Sequence, residues 1–534
     1  MSFVSNSLNE QLSLFDSFTG LTAREKKFPD RSWAKYFSEY IFPKIDEKPY
    51  AVLYSEKDSR PNTPVNIQVG ALLLKELTGM PDDETVLALM FDVRFQYALH
   101  TTSYREQPLN DRTLGRFRAR LLAHEKETGI DLIHNTIQKL SAEMAQIMKI
   151  DQSLKRMDSM MVASNIKRMG RLELLYTCVS NLAKEAKKAG MELPENLLHY
   201  TEDDDRNRVI YHNRSEETQN KILTVLGDAA ALKELCATDY AESVNYGLLV
   251  RVLDEQAVLN GDGSYRLRTK EDGGMDASIL QNPADPDATY REKAGKQNRG
   301  YTANLTEACG GEGSIVTDYQ YDTNTHSDAA FIKEAIESAP DQEEKTVIVA
   351  DGAYCGKEIQ KAAEEKKIEV VNTNLTGRQA QDILADFHFS EDGKRVTECP
   401  AGKTPKSCSY NASTGQCQVS FPKSECAGCP LKDKCHPKMY KRVAKKSISQ
   451  NGRERAIQQR TRNSESFIKR SRFRNGVETL PSILRRKYRV DQMPVRGLLA
   501  TKLYYGFKIG ALNISKFCQC MRKKEKCAQN AVIA

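Results

Sequence analysis

The sequence of 534 residues lacks a long uninterrupted apolar run, which excludes a conventional membrane-spanning helix. The most apolar stretch near its carboxyl end, residues 497–514, contains Lys502 and Lys508. The amino terminus lacks the basic and apolar regions of a secretory signal. Since 40% of the residues are hydrophobic and 28% are charged, the composition predicts a cytoplasmic globular protein of several domains with no membrane partner.

Acidic residues are scarce in one segment of the chain, residues 438–490. This segment holds 17 lysines and arginines against 3 glutamates, whereas the whole chain has a net charge of +7. The rest of the sequence is therefore net negative. Solvated helix surfaces usually mix both signs of charge, so a one-sided excess on this scale indicates a polyanionic partner, and nucleic acid is the expected one.

One glutamate of this basic segment, Glu478, lies in a predicted helix. Ser471, Arg474 and Arg485 stand at offsets of −7, −4 and +7 residues from it, and such offsets share one helical face. Glu465 is the competing acid, but the 13 residues between it and Glu478 turn it away from this face. The pattern predicts a carboxylate framed by arginines that bind DNA.

Strand and helix patterns elsewhere predict an α/β fold with mixed strand directions. Residues 61–145 are predicted to be helical, and their basic exterior fits a DNA-binding domain and a plain helical bundle equally well. A helical stretch is also expected within residues 165–280. The strand-like segments are 148–164, a hairpin of 301–308 with 314–323, and two strands, 345–354 and 368–374, preceded by helices at 327–338 and 357–367.

Two aspartates lie where the predicted strands can bring them close to Glu478. Asp158 falls on the first strand, and Asp351 directly follows the apolar run VIVA. Asp151 competes with Asp158, but a separation of seven residues along a strand points them to opposite faces. An Asp after a buried strand is commonly a turn or cap residue, so Asp351 taken alone is a weak candidate. Three clustered carboxylates repel one another unless cations neutralise them, and hard oxygen ligands suit two Mg²⁺ or Mn²⁺ ions.

These motifs resemble those of the DDE transposases of bacterial insertion sequences, over about residues 60–515. MDSMMVASNIKRMG resembles the segment of the family's first Asp, here Asp158, and VIVADGAY resembles that of the second, here Asp351. The family's third motif is Tyr, two residues, Arg, three residues, Glu, six residues, Lys. The corresponding residues of this chain are Ser471, Arg474, Glu478 and Arg485. Two of these four positions depart from the motif, but the acid is kept.

The resemblance implies an RNase H-like mixed sheet flanked by helices, with an amino-terminal all-helical domain, a helical insertion and a small Cys-rich insertion. The segments expected on this basis are an amino-terminal arm (1–60), a helical DNA-binding domain (61–145), the first part of the catalytic domain (146–380) with its helical insertion (165–280), the Cys-rich insertion (381–437), the second part of the catalytic domain with the basic helix (438–515), and a basic tail (516–534).

The resemblance also implies an enzyme that binds the terminal inverted repeats of its element, cleaves the DNA and joins the freed 3′-hydroxyl ends to target DNA. Its metal-binding acids would be Asp158, Asp351 and Glu478. Such an enzyme is expected to act as a homodimer on DNA, at the bacterial nucleoid. The residues expected to contact DNA are Arg112, Arg116, Arg474, Arg485, Arg486 and Lys487. The alternatives are a DNA-binding repressor derived from a transposase and an RNase H-like nuclease without strand transfer.

Six of the 13 cysteines lie between residues 399 and 435. Cys426 and Cys429 form a C-x₂-C pair, which together with two further thiols would make a closed structural zinc site. The predicted ligands are Cys399, Cys426, Cys429 and Cys435. Because only one C-x₂-C pair is present, other residues can replace a ligand, and reduced thiols without metal are the alternative. The possible replacements are His436, Cys408 and Cys417.

Overall fold

The computed structural model describes residues 1–6, 21–57, 59–101, 109–211, 215–261, 263–293, 295–311, 313–340, 344–354, 356–373, 380–461 and 464–533. The chain folds into two compact units. Unit 1 comprises Met1–Ala335 and Glu478–Ala534, and unit 2 comprises Ile336–Val477. The segment boundaries expected from the sequence stay a prediction.

The amino-terminal part of unit 1 is helical, as the sequence predicts. Asn110 begins the sixth helix by accepting a hydrogen bond from the Thr113 amide, and Gly129, with a φ of 74°, ends it. The helices are α1 (Ala23–Asp30), α2 (Trp33–Tyr36), α3 (Val65–Thr78), α4 (Asp82–Phe91), α5 (Val93–Ala98), α6 (Asp111–Thr128) and α7 (Leu132–Met148).

A first strand and a helical subdomain follow. The subdomain has its own buried apolar cluster, contributed mainly by its long helices, and this agrees with the helical stretch predicted within residues 165–280. The elements are β1 (Leu154–Ala163), α8 (Arg171–Lys188), α9 (Glu195–Leu198), α10 (Asp205–Ile210), α11 (Ser215–Cys236), α12 (Val244–Gln256), β2 (Ala257–Leu259) and β3 (Tyr265–Leu267).

The sheet of unit 1 is antiparallel and is organised around one long strand. Its remaining strands are β4 (Thr289–Lys293), β5 (Lys296–Gly310) and β6 (Gly313–Thr323). β5 pairs with β1 on one side and with β4 and β6 on the other. The predicted hairpin is therefore confirmed. Gly300, with a φ of 146°, lies where β5 passes the backbone of Val162 so closely that a Cβ atom would collide with it.

Unit 2 contains a parallel strand pair and a separate four-stranded antiparallel sheet. The helix α13 (Asp328–Glu337) enters this unit, and β7 (Thr346–Ala350), α14 (Lys357–Glu365) and β8 (Ile368–Asn372) form the parallel pair and its crossover. The remaining elements of this unit are β9 (His388–Phe389), β10 (Val396–Glu398), β11 (Ser407–Asn411), β12 (Gln416–Pro422), α15 (Lys423–Ala427), α16 (Lys432–Cys435), β13 (Lys438–Met439), β14 (Val443–Ser449), α17 (Gln450–Thr461) and α18 (Glu465–Asn475). The four-stranded sheet has the order β11-β12-β14-β13.

The chain ends in unit 1 with α19 (Thr479–Arg486) and the long helix α20 (Leu498–Ile533), which packs against α3, α7 and β6. The buried Asn513 of α20 accepts a hydrogen bond from the Val316 amide (2.9 Å) and donates to the Val316 carbonyl (2.7 Å) and to Ser141 Oγ (2.8 Å). α20 continues through residue 516, where the sequence predicts the start of a basic tail, and Cys518 and Cys520 beyond it are buried.

Antiparallel pairs in unit 1 and a parallel pair in unit 2 give both strand directions, and 53% of the residues are helical. The predicted α/β class, a mixed sheet flanked by helices as in RNase H-like proteins, is confirmed. Among the described residues, no helix combines the length and the apolar character that a bilayer span requires.

Candidate active site

Asp158 lies in the middle of β1, opposite Leu305 of β5, and its side chain is half-buried. Its carboxylate accepts a hydrogen bond from the Ser159 amide (3.0 Å). The competing Asp151 precedes β1, is exposed, and accepts a hydrogen bond from the Ser153 amide (2.8 Å) in a turn. Hydrogen bonds from the Ser153 hydroxyl and then from its amide lower the pKa of Asp151. Only Asp158 of these two acids lies on the strand.

Asp351 is the first residue after β7, whose apolar side chains Ile348, Val349 and Ala350 are buried. Its side chain is half-exposed and accepts a hydrogen bond from the Gly352 amide, at the start of a short 3₁₀ turn. The Asn372 side chain of β8 donates to the Asp351 carbonyl (2.8 Å). Asp351 therefore occupies the carboxyl end of a buried strand, with its backbone held by the neighbouring strand.

Arg474 of α18 is the positive charge next to Asp351. Its Nη2 atom lies 3.8 Å from Asp351 Oδ2, and its side chain is only 9% exposed. Arg470, one turn earlier, donates to Glu369 of β8 (3.0 Å). Two arginines thus attach α18 to the parallel pair of unit 2. The structure gives Arg474 a carboxylate partner within the protein, and its contact with DNA stays a prediction.

The predicted single helix around Glu478 is wrong. α18 ends at Asn475, a 3₁₀ turn covers Gly476–Glu478, and α19 begins at Thr479. Gly476 and Pro481 explain the change, because glycine weakens a helix and proline is accepted only in its first turn. Glu478 is exposed at the amino end of α19. The periodicity that aligned Glu478 with its arginines therefore does not apply across this break.

Arg485 attaches α19 to the strand that carries Asp158. Its Nη2 donates to the Met161 carbonyl of β1 (2.8 Å), and its Nε donates to Asp491 Oδ2 (3.0 Å). Asp491 Oδ1 in turn accepts a hydrogen bond from the Ala163 amide at the end of β1 (2.9 Å). Within unit 1, the helix that begins after Glu478 is thus tied to β1. This intramolecular role was not foreseen for Arg485, and its contact with DNA stays a prediction.

The convergence of Asp158, Asp351 and Glu478 also stays a prediction, because it joins residues of both units. Asp158 and Glu478 belong to unit 1, and Asp351 belongs to unit 2. Within the ranges that the structure describes, no group of three or more His, Cys, Asp or Glu side chains is gathered as a ready set of metal ligands.

The other residues predicted to contact DNA lie on the surface of unit 1. Arg112 and Arg116 are exposed on α6. Arg486 and Lys487 are exposed at the end of α19, and Lys487 Nζ donates to Ser515 Oγ of α20 (3.0 Å). These exposures are compatible with phosphate contacts, which stay predictions.

Sequence patterns did not identify a further group of cationic side chains beside the end of β1. Arg299 of β5 stacks over the Tyr290 ring of β4, 5.3 Å from its centre, and donates to Gln281 (3.0 Å). Burial, and then the nearby charge of Arg168, lower the pKa of Arg299. Tyr290 and Arg299 pair across β4 and β5, and Arg168 lies in the loop after β1, so only the folded backbone could have revealed the group.

Four thiols line one small cavity of about 30 Å³ in unit 2. They are the predicted zinc ligands Cys399, Cys426, Cys429 and Cys435. Burial, and then the neighbouring thiols, raise the pKa of Cys426. Burial also raises the pKa of Cys435, although Lys446 opposes this.

Comparisons with known proteins support the resemblance in two parts of the chain. Residues 398–518 match the family model described as a transposase DDE domain, and this range includes Glu478. Residues 21–120 match a second model, described as a transposase domain (DUF772). The two matches support a DDE transposase of an insertion element. Neither a curated protein nor a solved structure matches the chain.

Proposed function

We propose that this protein is a DNA transposase that binds the terminal inverted repeats of an insertion element, cleaves the DNA there and joins the 3′-hydroxyl ends to target DNA. Its metal-binding residues would be Asp158, Asp351 and Glu478. The observation that carries the proposal is the attachment of α19 to β1 through Arg485 and Asp491. This attachment links the segment of the third acid to the strand of the first.

The three proposed acidic residues fit a divalent cation. Arg474 already holds a positive charge 3.8 Å from the Asp351 carboxylate, which indicates that this position favours a cation. Carboxylate oxygens are the preferred ligands of Mg²⁺ and Mn²⁺. Two such ions, when bound, supply an activated oxygen nucleophile and stabilise the leaving oxygen of a phosphodiester. Asp158, Asp351 and Glu478 would hold them.

The basic surface would hold the DNA. The exposed cations are Arg112 and Arg116 on α6, Arg486 at the end of α19 and Lys487 directly after it. Arginine binds phosphate through a planar fork of N–H donors. Arg168, Arg299 and Tyr290 are added to this surface because two neighbouring guanidinium groups favour an anion between them. Paired element ends require two protomers, so the complex on DNA would contain a homodimer.

The test is an incubation of labelled element ends and a target plasmid with Mg²⁺ or Mn²⁺. Joined products support transposition, cleavage alone supports the nuclease alternative, and binding alone supports the repressor alternative. The triad is tested by Asp158→Asn, Asp351→Asn and Glu478→Gln, each of which is expected to abolish cleavage and joining while DNA affinity is retained.

Two matched controls are available in the chain. Asp151→Asn changes the exposed acid just before β1, and Glu465→Gln changes the acid at the start of α18. Both variants should cut and join as the unchanged protein does. A triad variant that still cuts, or a control that loses cutting together with the triad, would contradict the assignment. The mass of the protein–DNA complex in solution tests the homodimer.

A further inference from the structure

The cavity with four thiols is a site of unit 2 that the proposed reaction does not use. Its remaining walls are mostly apolar and include Ile383, Phe387, Phe421 and Leu431. The space inside it that the centre of a water-sized sphere can reach is about 30 Å³, which is enough for one ion among the sulfur atoms.

The four cysteines come from two separate parts of the chain, each held by backbone hydrogen bonds. Cys399 follows β10 and begins a tight turn, in which the Gly402 amide donates to the Cys399 carbonyl (2.8 Å) and Gly402 has a φ of 73°. Cys426 lies in α15, and the Lys432 amide donates to the Cys429 carbonyl (3.1 Å). Cys435 ends α16. The other three thiols are within electrostatic reach of Cys426.

The structure separates these four thiols from the residues that the sequence leaves as possible replacements. Cys417 of β12 is fully buried and its thiol donates to the Lys394 carbonyl (3.2 Å). Cys408 of β11 contacts Cys417 and accepts a hydrogen bond from the Val396 amide (3.5 Å). His436 is exposed. None of these three residues lines the cavity.

We infer that Cys399, Cys426, Cys429 and Cys435 are the ligands of one structural zinc ion and that Lys446 is the positioning and charge-balancing residue of this site. Each thiol releases its proton to solvent when it binds, so one Zn²⁺ replaces four protons and the cluster carries two negative charges. Among the described residues, the four sulfur atoms line the cavity but do not form a cluster of metal ligands. Binding of zinc would bring them closer together.

Lys446 of β14 fits this role because its side chain lines the same cavity and its Nζ donates to the Cys435 carbonyl. Its charge offsets half of the negative charge of a four-thiolate cluster. Partners of this kind, outside the ligand shell, commonly change metal affinity by about 10- to 100-fold. The adjacent Lys445 provides a matched control, since consecutive strand residues point to opposite faces and its Nζ lies over the Tyr440 ring instead.

Zinc would stabilise a part of unit 2 that has little apolar core of its own. The buried residues of this region form a small cluster around Phe387, Val396, Val419 and Phe421. A core of that size usually needs a metal or another crosslink. The ion would connect the turn after β10 to the α15–α16 segment. This role is structural and independent of the proposed phosphodiester chemistry, so either proposal can fail without the other.

The experiment measures metal content in the full chain purified from zinc-supplemented cells without chelators. We expect about one zinc per chain, and replacement by Co²⁺ should give the absorption of a tetrahedral cobalt site with four thiolates. Cys426→Ser should lose the zinc, whereas Cys408→Ser and Cys527→Ser should keep it. Lys446→Gln should weaken zinc binding in a competition with a chromogenic chelator by about 10-fold or more, and Lys445→Gln should not.

Several outcomes would overturn the inference. They are absence of stoichiometric zinc in the unchanged protein, loss of zinc in Cys408→Ser with retention in Cys426→Ser, and a cobalt spectrum with fewer than four thiolates. Because Cys426→Ser can fail to fold for other reasons, the cobalt spectrum of the unchanged protein counts the thiolates directly. Equal zinc affinity of Lys446→Gln and Lys445→Gln would remove the role of Lys446.

Discussion

Replacing Arg474 with alanine separates two roles for the basic helix α18. As a phosphate contact, Arg474 would contribute to the salt dependence of DNA binding. As the cation beside Asp351, it would instead compete with a metal ion for that carboxylate. The side chain of Arg474 is 9% exposed and that of Asp351 is 36% exposed, with 3.8 Å between Nη2 and Oδ2. This geometry favours competition with the metal.

The size of the effect follows from Coulomb's law. Unit charges separated by 3.8 Å interact by about 4 kcal/mol at an effective dielectric constant of roughly 20. Because more than a third of the Asp351 side chain is exposed, solvent screening reduces the net value to about 1 kcal/mol. Since about 1.4 kcal/mol corresponds to a tenfold change in affinity, Arg474→Ala should bind Mn²⁺ roughly fivefold more tightly.

The assay is a calorimetric titration of Mn²⁺ into the purified chain. Arg474→Lys keeps the charge, so its Mn²⁺ affinity should remain close to that of the unchanged protein. Arg470→Ala is the matched control, because Arg470 lies one turn earlier on α18 and pairs with Glu369. The salt dependence of DNA affinity should be unchanged in Arg474→Ala. It should fall in Arg486→Ala by about 0.9 in the slope of log affinity against log salt, the value for one phosphate contact.

The opposite pair of results would refute this reasoning. If Arg474→Ala leaves Mn²⁺ affinity unchanged and lowers the salt slope by about 0.9, Arg474 contacts phosphate and does not regulate the charge at Asp351.

Three further predictions concern unit 1. Asp491→Asn removes the carboxylate that joins Arg485 to β1; gel shifts and cleavage assays should show retained DNA affinity with slower cleavage, and unchanged cleavage would argue against this attachment. Glu307→Gln removes the fully buried carboxylate that pairs with both Arg156 and Lys516. Urea unfolding should show that the free energy of unfolding falls by about 3–5 kcal/mol. A fall below about 1 kcal/mol would mean that water solvates the two cations in place of the carboxylate. Burial raises the pKa of Glu307, but the charges of Lys516 and Arg156 outweigh burial, so the pKa is lowered. The stabilisation from this carboxylate is therefore present above its ordinary pKa of 4.5 and is lost as the pH falls below that value. Unfolding free energy should thus depend less steeply on acid pH in Glu307→Gln than in the unchanged protein, and an equally steep dependence would reject this linkage.

Much of the local structure could be predicted from the chain alone, because it depends on near neighbours in sequence. Alternating and continuous apolar runs indicated β1, the β5–β6 hairpin and the strands β7 and β8 with the helix between them. The region predicted to be helical, residues 61–145, contains α3 to α6 and most of α7. The break between α18 and α19 did not follow from the arginine spacing, which fits a continuous helix, whereas Gly476 and Pro481 interrupt it.

What only the tertiary structure decided is the partner of each charged or thiol side chain. Residue spacing indicated that Arg474 and Arg485 matter, but it presented both as DNA contacts. The fold adds partners within the protein that spacing did not reveal, Asp351 for Arg474 and both Met161 and Asp491 for Arg485, and the DNA contacts stay predictions. In the same way, the sequence left seven possible zinc ligands, and only the fold shows that four of them line one cavity. Chain composition and periodicity determine which residues are buried or helical. The choice of partner depends on residues far apart in sequence that only the packed backbone brings within a few ångströms.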